Sequence, residues 1–366
     1  MQVGYTPEQD QLRARLRDYF SEFPDFSLDD SSSYREAIRR LGRDGWLTTD
    51  GRSLMDQLIF AEEAALADVP VPFLTLYTVA PTIARHGTPE QKAGLLPRIA
   101  AGEVHFSIGY SEPEAGTDLA ALRTRAVRDG DHYVINGQKM WTSLIQYADY
   151  IWLACRTDPS AERHRGLSIL IVPTDSPGFS WTPVHTVAGH STSATYYEDV
   201  RVPVSALVGE ENQGWRLITN QLNHERVALT PAAPLQRALR EVTAWARSTG
   251  TIRHEWVRLH LARVHARTEA LKLFNWRVAA SSAALSPYQA SAGKVYGTEL
   301  AIEAYRLLME VLGPAALIRD DSPGSLLSGR IERMHRAALI LTFGGGTNEV
   351  QRDIIAAGAL NLPVRR

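Results

Sequence analysis

The spacing of apolar residues changes twice along this chain, and that limits the folds open to it more than any single motif does. From residue 7 to about 106 the spacing is helical. Thr6-Pro7-Glu8-Gln9 reads as an N-cap followed by proline at the first helical position, and Leu12, Leu16 and Phe20 follow at helical intervals. Segments 53–67 and 89–101 repeat the pattern, the second opened by Thr88-Pro89-Glu90-Gln91. Between about 107 and 208 the period becomes that of strands and turns. Residues 126–137 read as a hairpin turning at Asp129-Gly130, 167–172 and 196–202 as further strands, and 157–164 as a loop. From Gly214 onward helical spacing returns over 215–228, 234–247, 256–280, 289–312 and 328–341, with a loop expected at 284–287. Helices, then strands, then helices is not a βαβ alternation. The expected fold class is α+β, with an N-terminal α-helical domain at 1–106, a middle β domain at 107–208 and a C-terminal α-helical bundle at 209–366.

Composition excludes some functions. The net charge of -2 gives no reason to expect nucleic acid or an acidic membrane as partner. No stretch approaches the roughly 20 apolar residues of a membrane span, and residues 1–20 form a charged, amphipathic segment with no apolar leader-like core. The single cysteine, Cys155, rules out an intramolecular disulfide and sits in the apolar run Tyr150-Ile151-Trp152-Leu153-Ala154, so it is expected to be buried packing. A reducing cytoplasm is the default, and no metal site is expected. Only Lys92, Lys139, Lys272 and Lys294 are lysines, a bias assigned to genome composition and given no functional weight.

Two motifs suit a planar ligand with polar edges. In Gly109-Tyr110-Ser111-Glu112-Pro113-Glu114-Ala115-Gly116-Thr117-Asp118, Gly116 permits close backbone approach while Ser111 and Thr117 offer hydroxyls. Taken alone, it serves as well for a structural loop as for a ligand loop. Downstream, Asn136-Gly137-Gln138-Lys139-Met140-Trp141-Thr142-Ser143 sets a tryptophan beside two hydroxyls, suited to stacking plus hydrogen bonding. Glu112 and Asp118 read as loop-ordering residues.

Together, in this order and spacing, the two motifs resemble the flavin-binding β domain of the acyl-CoA dehydrogenases. A third stretch, Phe343-Gly344-Gly345-Gly346-Thr347-Asn348-Glu349-Val350-Gln351-Arg352, resembles that family's C-terminal signature. The resemblance implies FAD as cofactor. It sets the backbone of Tyr110 and the hydroxyls of Ser111 and Ser143 at the isoalloxazine edge, Trp141 beside the ring with Thr142 assisting, Thr117 towards the acyl-CoA, and Thr347 on the flavin from the C-terminal domain. Many members carry their catalytic glutamate two residues before that threonine; here the position is Gly345. In the isovaleryl and long-chain branches the base instead precedes an arginine on an earlier helix, and Glu225-Arg226 occupies that place. On the resemblance Glu225 is the base, Gly345 keeps a backbone N–H for the thioester oxygen, and Arg226 lies with the substrate. Segments 105–110, 137–147, 178–187, 220–227 and 331–355 are similar to the alpha subunit of the actinobacterial steroid side-chain branch, which acts on the C-26 CoA thioester of a 3-oxo-cholestenoate.

The chain departs from the wider family in three places. The Arg-x-x-Phe-Gly segment that grips the adenosine end of FAD is absent from 245–253, and the Gln-x-x-Gly-Gly adenine segment reads Glu310-Val311-Leu312-Gly313-Pro314. The link at 45–52 is short. The first two imply a sister beta subunit in an α2β2 heterotetramer, as in the steroid branch, and the family implies an electron-transferring flavoprotein as acceptor. Burial beside an apolar substrate is expected to raise the pKa of Glu225. Glu349 is the rival base, discounted because the family carries a non-catalytic polar residue there, and His224 reads as structural. A branched or ordinary fatty acyl-CoA dehydrogenase, a flavin monooxygenase on the same fold and a non-catalytic subunit stay open as alternatives.

Overall fold

The computed structural model describes residues 4–23, 31–48, 51–189, 191–228, 230–280, 286–320 and 322–363, without the side chains of 31, 32, 191 and 222–228. Five helices come first: α1 (Pro7–Ser21), α2 (Ser31–Arg43), α3 (Leu54–Leu66), α4 (Ala80–His86), which continues a π-helical turn at Thr75–Val79, and α5 (Pro89–Ala100). Local chemistry sets where three of them start. Thr6 with Gln9, Ser53 with Asp56 and Thr88 with Gln91 each form a reciprocal capping box, which satisfies N–H groups the first turn would otherwise leave open.

The strands follow as β1 (Phe106–Gly109), β2 (Arg125–Asp129), β3 (His132–Lys139), β4 (Tyr150–Arg156), β5 (Leu167–Pro173), β6 (Phe179–His185), β7 (Ser191–Pro203) and β8 (Leu207–Val208). They form a mixed sheet in the order β6-β7-β3-β2-β4-β5-β8, with β1 against β4. The expected β2–β3 hairpin forms, pairing Asp129 with His132. Two parallel neighbours share one edge of β4: β1 pairs along 150–153, and β2 takes over at Arg156. The 110–124 segment leaves the sheet between them. Gly137 (φ 152°) lets β3 bulge there, since a Cβ would lie 2.5 Å from the Thr124 hydroxyl.

The remaining helices are α6 (Gly214–Ala228), α7 (Ala233–Ser248), α8 (Glu255–Ala279), α9 (Pro287–Leu312), α10 (Arg330–Ala338) and α11 (Asn348–Leu360). The expected loop at 157–164 is present, while that at 284–287 lies mostly outside the described residues. One apolar core lies within the C-terminal helices, around Val242, Val257, Leu271, Ala304 and Leu308. Another joins α4 and α5 to the sheet through Ile83, Ile99, Trp152 and Ile169, and it takes in Leu217 and Ile218 of α6. So α6 is rooted in the sheet's core while it also lies against α9. Cys155 is fully buried, and burial pushes its thiol up to about 12, as suits packing rather than chemistry. Among the described residues no helix is long and apolar enough to cross a membrane, and no group of three or more His, Cys, Asp or Glu could hold a metal ion.

Two buried titratable groups give stability opposing pH slopes. Burial, helped by the Arg35 charge, pushes His105 down from 6.5 to about 4. Its contribution is full above 6.5 and is lost as pH falls through 4. Burial pushes Glu62 up from 4.5 to about 7, against the Tyr5 hydroxyl and the Arg13 charge. That contribution is full below 4.5 and is lost as pH rises through 7. Each amounts to about 3 kcal/mol at most. Between pH 4.5 and 6.5 they offset each other. Glu62→Gln is therefore expected to make thermal stability rise with pH across that window, and His105→Phe to make it fall. Melting curves taken in half-unit pH steps check this, and parallel profiles for wild type and both variants would sink it.

Candidate active site

Three stretches of chain meet where β1, β3 and β7 come together. The Met140 N–H donates to the Ser111 carbonyl at 2.8 Å, and the Thr142 N–H to the Ser193 carbonyl at 2.9 Å. The Ser107 hydroxyl donates to the Ser143 carbonyl at 2.9 Å, and the Ser143 and Thr192 hydroxyls lie 3.2 Å apart. Thr142 is buried, its hydroxyl 3.5 Å from that of Thr195. Tyr110, Ser111, Trp141, Thr142 and Ser143 thus gather at one end of the sheet, while Thr117 stands exposed on the outer part of the loop.

Trp141 is 54% exposed and sits at φ 66°, in the left-handed region that tryptophan rarely enters. A bare indole flanked by partly buried serines fits the edge of a planar ring that covers it. On that observation these residues suit a planar heteroaromatic ring with polar edges, as the isoalloxazine of FAD has.

Lys139 keeps this loop in shape. Its ammonium is fully buried, 2.9 Å from the Tyr110 carbonyl and 2.8 Å from the Glu112 carboxylate. Glu112 also accepts the N–H groups of Arg123 at 2.7 Å and Thr124 at 2.8 Å. Burial pushes the Glu112 carboxyl up, but the Lys139 charge and these hydrogen bonds overcome it, so it sits below its ordinary value. Burial also pushes the Lys139 ammonium down, with Glu112 opposing. Asp118 pairs with Arg163 at 2.9 Å. Both carboxylates order the loop.

The glycine-rich stretch is held by a similar device. Lys294, fully buried on α9, donates to the carbonyls of Thr342 (3.1 Å) and Gly346 (2.9 Å) and to Asn348 Oδ1 (2.8 Å). Gln351, also fully buried, donates to the Gly345 carbonyl at 3.0 Å and accepts from the Ser291 hydroxyl at 2.8 Å. The chain between passes through left-handed backbone at Gly345 (φ 68°) and Gly346 (φ 89°), which glycine adopts without a steric cost. Thr347 then caps α11, its hydroxyl accepting the Val350 N–H at 3.4 Å. Glu349 is exposed at that helix start, where its own backbone N–H and the Thr347 hydroxyl hold its carboxyl below the usual range. An exposed, readily ionised carboxylate is poorly suited to act as a base in an apolar site.

Glu225 and Arg226 stand in the last turns of α6; their side chains lie outside the described residues. Leu217, Ile218 and Gln221 are buried earlier on the same helix, and position 225 comes one turn after Gln221. Lys139, Gln221, Lys294 and Gln351 were not singled out as site residues from sequence. The lysines carried a signal: in a chain that otherwise uses arginine, two of its four lysines are fully buried under the two loops.

Three sequence models of one family match the chain in order: Acyl-CoA dehydrogenase, N-terminal domain (residues 6–103), middle domain (107–200) and C-terminal domain (212–360). Acyl-CoA dehydrogenase FadE26 of Mycobacterium tuberculosis is 63% identical, over 99% of both chains. Among solved structures, the ChsE4-ChsE5 complex from Mycobacterium tuberculosis matches with TM-score 0.94 and 64% identity over 100% of both chains. The Tcur3481-Tcur3483 steroid ACAD matches with TM-score 0.95 and 47% identity, again over 100% of both.

The Lys139–Glu112 pair yields an asymmetric expectation. Glu112→Gln leaves a fully buried ammonium without a counter-charge and is expected to cost about 3–5 kcal/mol. Lys139→Met leaves Glu112 bonded to two N–H groups and is expected to cost clearly less. Denaturant unfolding of the two variants measures the difference, and equal losses would refute this account of the pair.

Proposed function

The chain belongs to the acyl-CoA dehydrogenase family and is an oxidoreductase, and from that premise we propose that it acts on the C-26 CoA thioester of a 3-oxo-cholestenoate to give the 2,3-enoyl-CoA. The observation that carries the substrate reading is end-to-end similarity to a structure whose own name is steroid ACAD. Removing a proton from Cα and a hydride from Cβ leaves a double bond between them.

The α-proton is weakly acidic, so charge developing on the thioester oxygen needs hydrogen-bond donors, each contributing about 3–4 kcal/mol when well placed. In this proposal the backbone N–H at Gly345 is one donor, presented by the loop that Lys294 and Gln351 hold. Glu225 takes the proton, a step in which a positioned base contributes about 10²–10⁴-fold. Support for Glu225 comes from the exclusion of its rivals: position 345 carries no side chain, and Glu349 is exposed and kept acidic. Arg226 lies beside the base, and Thr117 faces the acyl-CoA. FAD, bound against Tyr110, Ser111, Trp141, Thr142, Ser143 and Thr347, supplies the hydride acceptor.

We place the adenosine end of FAD on a sister chain in an α2β2 assembly. The names of both neighbours are pairs of chains, and the two adenosine-gripping segments of the wider family are replaced here. An electron-transferring flavoprotein is the proposed acceptor for the reducing equivalents, and domains at 1–106, 107–208 and 209–366 are the proposed division of the chain.

Anaerobic titration of the FAD-loaded protein, co-produced with its sister chain, tests the reading. The C-26 steroid-CoA thioester is expected to bleach the oxidised flavin band in wild type, and Glu225→Gln is expected to bind FAD but stay yellow. Bleaching by a fatty acyl-CoA and not by the steroid thioester would overturn the substrate while keeping the chemistry. A Glu225→Gln protein that bleaches at the wild-type rate would remove Glu225 as base.

A further inference from the structure

Gln221 is 3% exposed in α6, and both ends of its amide are engaged. The Tyr110 hydroxyl donates to its Oε1. Its Nε2 donates to the Thr82 hydroxyl at 3.0 Å, which donates in turn to the Thr78 carbonyl at 2.7 Å. At the other end the Trp152 indole N–H donates to the Tyr110 oxygen at 3.2 Å. An indole N–H only donates and a carbonyl only accepts, so the direction of the whole line is set from both ends. It runs from β4 through the loop after β1, into α6, and out to α4 and the π-helical turn before it. Aligned bonds of this kind strengthen one another away from water.

Two features give the line a task beyond packing. Tyr110 belongs to the loop proposed to carry the flavin, its carbonyl held by Lys139. Position 225 comes one turn beyond Gln221 on α6. One side-chain hydrogen bond therefore joins the flavin loop directly to the helix that carries the base. Dehydrogenation requires the base to reach one carbon while the hydride acceptor reaches its neighbour, so the spacing between loop and helix is the quantity the reaction depends on.

We propose that Gln221 is a positioning residue: through Tyr110 and Thr82 it sets the height and rotation of α6 against the flavin loop, and so the placement of the base. The proposal rests on the reading of Glu225 as that base. Side chains that only filled the core would not need a polar amide in place of Leu or Met.

The test uses the FAD-loaded protein with its sister chain and follows anaerobic flavin bleaching by rapid mixing with the steroid-CoA thioester. Gln221→Met keeps the volume and removes the hydrogen bonds. It is expected to lower the limiting reduction rate about 10- to 100-fold, with half-saturating thioester concentration, FAD content and oxidised spectrum unchanged. Tyr110→Phe is expected to lose a similar factor, and the double variant no more than Gln221→Met alone. Gln221→Glu, whose neutral carboxyl accepts from Tyr110 and donates to Thr82, is expected to recover most of the rate.

Wild-type rates in Gln221→Met or Tyr110→Phe, or losses that multiply in the double variant, would overturn the proposal. So would a rate loss matched by lost FAD or by weaker thioester binding. If Gln221→Met does not fold, Tyr110→Phe and Gln221→Glu decide the matter. Glu225→Gln is measured beside them: if it is inert while Gln221→Met is normal, only the positioning role falls, and if it is itself normal the base reading falls first.

Discussion

Burying an ammonium ion costs several kcal/mol unless it is hydrogen-bonded to well-placed acceptors, and this fold buries one twice, under the two loops that its proposed chemistry needs. Lys139 meets one carbonyl and one carboxylate beneath the Tyr110–Glu112 turn, and Lys294 meets two carbonyls and an amide oxygen beneath the glycine-rich stretch. Neither loop has a regular ladder to satisfy its carbonyls. A compact ammonium with three rotatable donors can reach oxygens in different directions, where the planar fork of arginine would suit a single carboxylate. The scarcity of lysine elsewhere in the chain therefore makes these two positions informative.

The two loops are held from different elements, one at the sheet and the other on α9, and α6 packs against both β5 and α9. Its first half contributes Leu217 and Ile218 to the core beneath the sheet, and its length lies against α9, the helix that also carries Lys294. A base at position 225 is thus tied on one side to the sheet through Gln221 and on the other to the helix that anchors the glycine loop. The two loops are thus hydrogen-bonded to, and the proposed base is carried on, elements packed against one another, as pre-organised catalysis requires.

Much of this was legible in the sequence because it is local. The change of apolar period marks the helix–sheet–helix order, Thr6-Pro7 and Thr88-Pro89 mark helix starts, and Asp129-Gly130 marks the hairpin, each through interactions spanning a few residues. The loop-ordering roles of Glu112 and Asp118 and the inert burial of Cys155 were readable from their neighbours. What was not legible is non-local. The shared edge of β4 depends on strands distant in sequence, and the Tyr110–Gln221 contact spans 111 residues, so neither leaves a periodic trace. Lys139 and Lys294 were visible as rare residues, but nothing near them in sequence announces carbonyls gathered from elsewhere in the fold.

The same locality explains the form of the cofactor end. Apart from Thr347, the residues proposed for the isoalloxazine come from one sheet end and one loop, and hydrogen bonds within this chain cross-link them. At the positions of the two adenosine-gripping segments of the resemblance, α7 ends at Ser248 before a left-handed Gly250, and α9 ends at Leu312 with Gly313 and Pro314 next. If a sister chain supplies that end, association need not build the reactive half. The ordering cost of the flavin loop is already met within the monomer, so binding energy at the subunit interface is left for holding the cofactor. A division of this kind places rigidity where the bond-breaking geometry is set and leaves affinity to the contact between chains.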